Sequence, residues 1–265
     1  MTPIQAIILA IVEGLTEFLP VSSTAHMKFT NPIIGVQSTP FSDMMEIVIQ
    51  LAAILAVVVV YYKKFFDFSR VKFYVKLVIA VIPALVFGAL LKKHIDQALG
   101  NLYFIAGVMI AGGIIFLFVD RWFKHSPIEH ENQVNNGTAF RIGCYQVLSI
   151  IFPGLSRSAA TIIGGMSQGL SRRAAAEFSF FLAVPTMLAA SVKSMMDLHK
   201  EHPEALNTGN LSLLGMSSIV TFIVSIVVIR YFIGFLKKHG FKVWGYYRIV
   251  VGLVMLFLLW RGIVA

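Results

Sequence analysis

EGLTEFLPVSSTAH, residues 13–26, sets two glutamates, a run of hydroxyls and a histidine inside a largely apolar stretch, 3–35. Glu13 and Glu17 are four residues apart, so on a helix they share one face. Pro20 then ends that helix, and Ser22, Ser23 and Thr24 follow where a second one starts. The break leaves two halves, each too short for a bilayer that takes about 20 apolar residues to cross. Bare backbone at membrane depth is tolerated only where it is buried in protein or lines a cavity. The stretch therefore reads as a re-entrant helical hairpin; an ordinary kinked span is the plainer alternative.

The surrounding chain sets the class. Of 265 residues, 57% are hydrophobic and 13% charged, against about 45–50% and 25% in soluble domains. Mean hydropathy is +0.80. This excludes a disordered chain and argues against a soluble domain, which would have to expose the surplus apolar surface. The net charge of +9 reads as loop charge facing anionic lipid rather than as a nucleic-acid surface. One cysteine, Cys144, forms no intrachain disulfide. The N-terminal stretch has no basic leader region or small-residue cleavage site and carries Glu13 in its apolar run, so a cleaved signal peptide is not expected.

Six segments are long and apolar enough to span, near 43–62, 74–92, 102–120, 174–196, 212–236 and 244–262. A second broken stretch covers 139–170. The polar linker 121–138 divides the single membrane domain into a first repeat, 1–120, and a second, 139–265. FLPVSSTA at 18–25 resembles FPGLSRSAA at 152–160, and EIVIQLAAILA at 46–56 resembles EFSFFLAVPTMLA at 177–189. Each half holds a broken hairpin and three spans. An odd number of spans inverts the second half relative to the first, with a site expected where the broken elements meet. The expectation is an all-α polytopic membrane protein: about six transmembrane helices plus two re-entrant hairpins in an inverted-topology repeat. Loops 62–76, 121–141 with Arg172 and Arg173, and 230–248 carry fifteen Lys and Arg, against six on the other side. The positive-inside rule makes the first side, including the linker, cytoplasmic. Both termini and the mouth of the first hairpin then face outward.

The chemistry sits in the two breaks. Paired carboxylates at depth are costly and rarely without a use; a divalent cation between them lets both stay ionised. Hydroxyls and N–H groups at a helix start attract phosphate. In PGLSRSAAT, residues 153–161, Arg157 brings a planar fork suited to phosphate. Ser156, Ser158 and Thr161 add hydroxyls. Arg157 is also placed to neutralise Glu17. Carboxylates, hydroxyls, one His and one Arg inside a membrane suit phosphoryl chemistry.

EGLTEFLPVSSTAHM, then PGLSRSAATI, with FSFFLAVP downstream, resembles the bacterial undecaprenyl pyrophosphate phosphatase family, of the bacitracin-resistance protein type, over essentially the whole chain. The resemblance implies removal of one phosphate from undecaprenyl pyrophosphate, which regenerates the lipid carrier of cell-wall synthesis. It implies a multi-pass protein of the bacterial inner membrane with divalent-cation-dependent activity (Mg²⁺ or Ca²⁺). It places the glutamate motif on Glu13 and Glu17, the serine pair on Ser22 and Ser23, the histidine on His26, and the essential arginine on Arg157. Ala25 and Ala159 stand where the family usually has glycine. On this reading Ser23 is the nucleophile, Glu17 or His26 takes its proton, and Glu13 and Glu17 share the cation. Ser22, Thr24, Ser156, Arg157, Ser158 and Thr161 bind phosphate. Direct attack by water fits the same residues.

Glu46 and Glu177, at matching repeat positions, read either as partners of the site or as N-terminal helix charges; Gln50 reads as polar glue beside Glu46. His94, His125, His130, His199, His202 and His239 read as solvated. Lys63, Lys64, Arg70, Lys72 and Lys76 read as a solvated face against anionic lipid. Glycines 107, 112, 113, 164, 165 and 169 read as close-packing positions, and such small-residue faces are compatible with a homodimer. A transporter or flippase of the lipid carrier is the competing function, because inverted repeats with broken helices are also transporter architecture; an ion channel is weaker, since the site is no ring of like groups.

Overall fold

Thr2 and Thr39 each cap a helix that begins with proline, their hydroxyls accepting from Gln5 N and Ser42 N. Proline costs nothing at a helix start, where its missing N–H has no partner to lose. Asn101, Asn135, Ser171 and Asn207 cap four more helices in the same way. The computed structural model describes residues 1–123 and 126–264; Lys124 and His125, counted above as a linker charge and a solvated histidine, lie outside the described residues. The described chain forms α1 (Pro3–Thr16), α2 (Ser23–Ile33), α3 (Pro40–Val60), α4 (Tyr62–Phe65), α5 (Val71–Leu90), α6 (Lys92–Leu99), α7 (Leu102–Trp122), α8 (Asn136–Ile151), α9 (Arg157–Ser167), α10 (Arg172–Glu201), α11 (Thr208–His239) and α12 (Lys242–Trp260). No strand occurs among the described residues; a lone bridge joins Ile128 to Leu170.

Six of these helices, α3, α5, α7, α10, α11 and α12, are long and apolar enough to cross a membrane. They match the six expected segments. The main differences are at α10, which runs from Arg172 to Glu201 rather than 174–196, and at α11, which runs from Thr208 to His239 rather than 212–236. Hydropathy marks where lipid contact ends, whereas helical hydrogen bonding continues into the charged turns beyond. The two broken stretches are α1–α2 and α8–α9. α1, with 14 residues, is about 21 Å long at 1.5 Å per residue, short of a hydrocarbon core of about 30 Å.

Packing follows an exchange between the halves. α1 lies against α11, and its counterpart α8 lies against α5, the counterpart of α11. α3 packs on α10, and α7 on α12. This pairing is compatible with the expected inverted repeat. The α7–α12 contact is close because it is built on glycine: a Cβ on Gly113 would lie 2.8 Å from the Gly245 carbonyl, and one on Gly245 2.8 Å from that of Gly113. Gly107, by contrast, meets nothing within 4 Å.

At the linker end, three of the expected solvated cations are engaged instead. Lys64 and Arg70 each reach the buried Glu131 at 3.0 Å, and Lys76 donates to the Asn132 carbonyl. Lys64 also binds Glu177 at 2.7 Å. A buried carboxylate needs such partners, and Glu131 recruits the nearest cations from the α4–α5 region. Burial opposes its charge, but the hydrogen bonds from Lys64 and Arg70 outweigh it and hold the carboxyl below its ordinary range.

Candidate active site

The first break starts at Glu17, which ends α1 with its N–H on the Glu13 carbonyl at 2.9 Å. The chain then turns to Ser22, whose φ is 71° and whose hydroxyl accepts from Ala25 N to cap α2. The second break ends in the same way. Ser156 has φ 77°, and its hydroxyl accepts from Ala159 N to cap α9. Among the described residues, Ser22 and Ser156 are the two non-glycine residues with positive φ, and the FLPVSSTA and FPGLSRSAA alignment sets them at the same position. Such backbone costs about 1–3 kcal/mol per residue and persists only where its surroundings enforce it.

The two turns meet. Ser158 Oγ donates to the Leu19 carbonyl at 3.3 Å, linking the second turn to the first. Between them sits the Glu17 carboxylate. Its Oε2 accepts from Ser23 Oγ at 2.5 Å, and its Oε1 accepts from Arg157 Nη2 at 2.5 Å. Ser23 and Arg157 are the first residues of α2 and α9, so one carboxylate receives a hydroxyl from one half and a guanidinium from the other. Both ends of the ion pair are buried, with side chains 6% and 11% exposed. Arg157 Nη1 donates to the Ser179 carbonyl, and its buried Nε has no protein partner. Glu13, one turn before Glu17, is fully buried, and neither of its oxygens has a partner.

A cleft of about 40 Å³ lies between the turns. Ser22, Ser23 and Thr24 line it from one side, Ser156, Arg157 and Ser158 from the other, with Glu17 between. Two helix N-termini therefore open on it, a setting that favours phosphate. A larger cavity of about 630 Å³ lies elsewhere, between the start of α1, residues 35–42 and residues 202–210. It holds no buried carboxylate or arginine, whereas the smaller cleft holds the Glu17–Arg157 pair.

Three expected site residues do not line the cleft: Glu13, buried one turn before Glu17, His26 and Thr161. His26 Nδ1 donates to the Ser22 carbonyl at 2.8 Å, which fixes the proton there because a carbonyl only accepts. Its Nε2 then accepts from the Tyr247 hydroxyl at 2.8 Å, away from Ser23. Thr161 Oγ1 bonds the Arg157 and Ser158 carbonyls and the Ser179 hydroxyl, behind the turn. Glu46 pairs with Lys28 at 3.0 Å and accepts from Asn31, which anchors α2 on α3.

Three residues hold places that the sequence did not show. Gln50 of α3 and Met187 of α10 close the sides of the cleft. Arg248, counted above among the loop charges, is fully buried. The correction leaves fourteen loop cations against six, so the charge bias stands. An ionisable residue inside an apolar span was the available signal.

A family model described as bacitracin resistance protein BacA matches residues 6–254. The chain belongs to that family. Proteins named undecaprenyl-diphosphatase are its relatives. That of Flavobacterium psychrophilum is 51% identical over 256 residues, covering 97% of this chain and 95% of the relative. That of Porphyromonas gingivalis is 47% identical over 279 residues, covering 99% of each. That of Flavobacterium johnsoniae is 49% identical over 257 residues, covering 97% and 96%. With six apolar helices, this BacA-family chain is a multi-pass membrane protein. Its alanines at 25 and 159 sit in the first turns of α2 and α9, fully buried and in ordinary helix, where each N–H meets the capping serine.

Proposed function

We propose that this chain is an undecaprenyl-diphosphatase, hydrolysing undecaprenyl pyrophosphate to undecaprenyl phosphate and inorganic phosphate. This recycles the lipid carrier for peptidoglycan synthesis and confers resistance to bacitracin. The observation that carries the site assignment is the Glu17 carboxylate receiving Ser23 at 2.5 Å and Arg157 at 2.5 Å from opposite turns. A hydroxyl on a carboxylate is a nucleophile beside its base, and the arginine lies where phosphate charge needs neutralising.

In this mechanism the terminal phosphate enters between the helix N-termini. Arg157, Ser156, Ser158 and Thr24 bind its oxygens. Ser23 Oγ forms a bond to the terminal phosphorus as the bond to the bridging oxygen breaks, and undecaprenyl phosphate leaves. Glu17 Oε2 takes the serine proton. Water then cleaves the phosphoserine, releases inorganic phosphate and restores Ser23. His26 fixes the Ser22 turn through its carbonyl.

The residues fit a divalent cation. Glu13 offers two buried oxygens without partners, and each Glu17 oxygen keeps a second lone pair. One or two carboxylates plus substrate phosphate is a usual Mg²⁺ set. Bound there, Mg²⁺ or Ca²⁺ supplies charge neutralisation for the diphosphate. The halves form an inverted repeat with both breaks entering as re-entrant hairpins of the bacterial inner membrane, and the charge bias opens the site to the outer side.

The test is phosphate release from undecaprenyl pyrophosphate by purified protein in detergent, with and without EDTA, beside an Arg157→Ala variant. Divalent-dependent release that the variant loses is expected. No release from folded protein refutes the hydrolase and favours the transporter reading, which the exchange packing of the halves also suits. Detergent leaves no two sides to transport between.

A further inference from the structure

Arg248 lies within α12, one of the six apolar helices, and has no access to solvent. Among the described residues it makes no ion pair. It donates instead to four backbone carbonyls: Nε to Met109 at 3.3 Å, Nη1 to Pro20 at 3.1 Å and Leu155 at 3.0 Å, and Nη2 to Gly154 at 2.8 Å. Pro20 belongs to the first turn, Gly154 and Leu155 to the second. In the alignment of the halves, Pro20 and Gly154 are the same position, two residues before the strained Ser22 and Ser156. One side chain therefore holds the matching carbonyl of each turn. α7 is shaped to admit it, since a Cβ on Gly112 would lie 2.5 Å from Nη2. The preceding residue, Tyr247, grips the first turn a second time through His26 and the Ser22 carbonyl.

We infer that Arg248 is a positioning residue for the reaction, a strut that fixes the two serine turns against each other so that Ser23 and Arg157 converge on Glu17. The inference rests on the hydrolase reading for its kinetic consequence. Ser23 and Arg157 start their helices directly after the strained serines, so where they aim is set by the carbonyls that Arg248 holds. The role needs a fork: a planar group with several donors reaches both turns, whereas an ammonium is a single point.

Arg248→Lys and Arg248→Met are purified in detergent beside wild type. Folded state is measured by thermal unfolding, kcat and KM by phosphate release from undecaprenyl pyrophosphate, and amide hydrogen exchange over residues 17–23 and 152–157. Misplacement by about 1 Å costs about 100-fold, so kcat falls about 100-fold in both folded variants with KM within about threefold. Exchange rises in both turns together. The inference is overturned if Arg248→Lys restores turnover, because charge alone then suffices. A rise in KM at unchanged kcat overturns it, as does faster exchange in one turn only. Failure of both variants to fold overturns it too, because the residue then serves assembly rather than alignment. Wild type inactive in the same assay would refute the hydrolase reading, while the exchange measurement still decides the strut.

Discussion

Glu17→Gln separates the proposed base from the scaffold it stands on. The carboxylate accepts from Ser23 through one oxygen and from Arg157 through the other, both at 2.5 Å. Glutamine keeps the shape but has one acceptor oxygen and one NH₂ group. The NH₂ cannot face Arg157, whose nitrogens only donate, so it faces Ser23 and donates to Oγ. The arrangement survives while the proton acceptor is lost. Removing a general base costs about 10²–10⁴ in rate, and kcat falls by that range. Taking the partner from a buried ion pair costs about 3–5 kcal/mol, and the retained hydrogen bond to a charged group offsets about 1.5–3 kcal/mol of it. The folded state is then about 1–3 kcal/mol less stable. The assay is phosphate release in detergent at saturating substrate, with thermal unfolding of the same preparation. Folded Glu17→Gln protein that turns over within about tenfold of wild type would refute the assignment of Glu17 as base.

Ser23→Ala abolishes a trappable phosphoenzyme and lowers kcat by at least about 10³; near-normal turnover selects direct attack by water. His26→Ala lowers kcat about tenfold by loosening the Ser22 turn, and the limbs of the pH–rate profile stay where wild type has them; a displaced limb would make His26 a proton carrier. Glu131 has a folded-state carboxyl below its ordinary range, so its attachment to Lys64 and Arg70 is fully present above the ordinary glutamate value of about 4.3 and is lost as pH falls through the folded value. Limited proteolysis of residues 126–135 across acid pH is expected to show release on that side, and Glu131→Gln to show it already at neutral pH.

Much of this was legible in the sequence because a bilayer imposes coarse rules. Six spans follow from apolar length alone, and Pro20 and Pro153–Gly154 mark the breaks because proline and glycine act on the backbone locally. Ser22, Ser23, Ser156 and Arg157 stood out for being polar where polarity is costly. The rest depends on direction, which one chain of letters does not carry. Arg248 lies six residues into α12, close to the loop cations, and only packing shows it turned inward. Gln50 looked like a partner for Glu46, yet it lines the cleft while Glu46 turns to Lys28. His26 follows Ser23 by three residues, but its ring is claimed by Tyr247 from the far end of the chain.

The matching of the halves stops at the chemistry. Ser23 and Arg157 hold the same position, whereas the counterparts of Glu17 and Glu13 are Ile151 and Val147. A chain assembled from two copies of the first half would set two hydroxyls in the cleft and no guanidinium; two copies of the second would set two guanidiniums and no carboxylate. Either would repeat the strained turn, and neither would bring a hydroxyl, a carboxylate and a guanidinium to one point. The halves share an architecture but divide the labour, so a residue can be neutral in one half and indispensable at the equivalent place in the other.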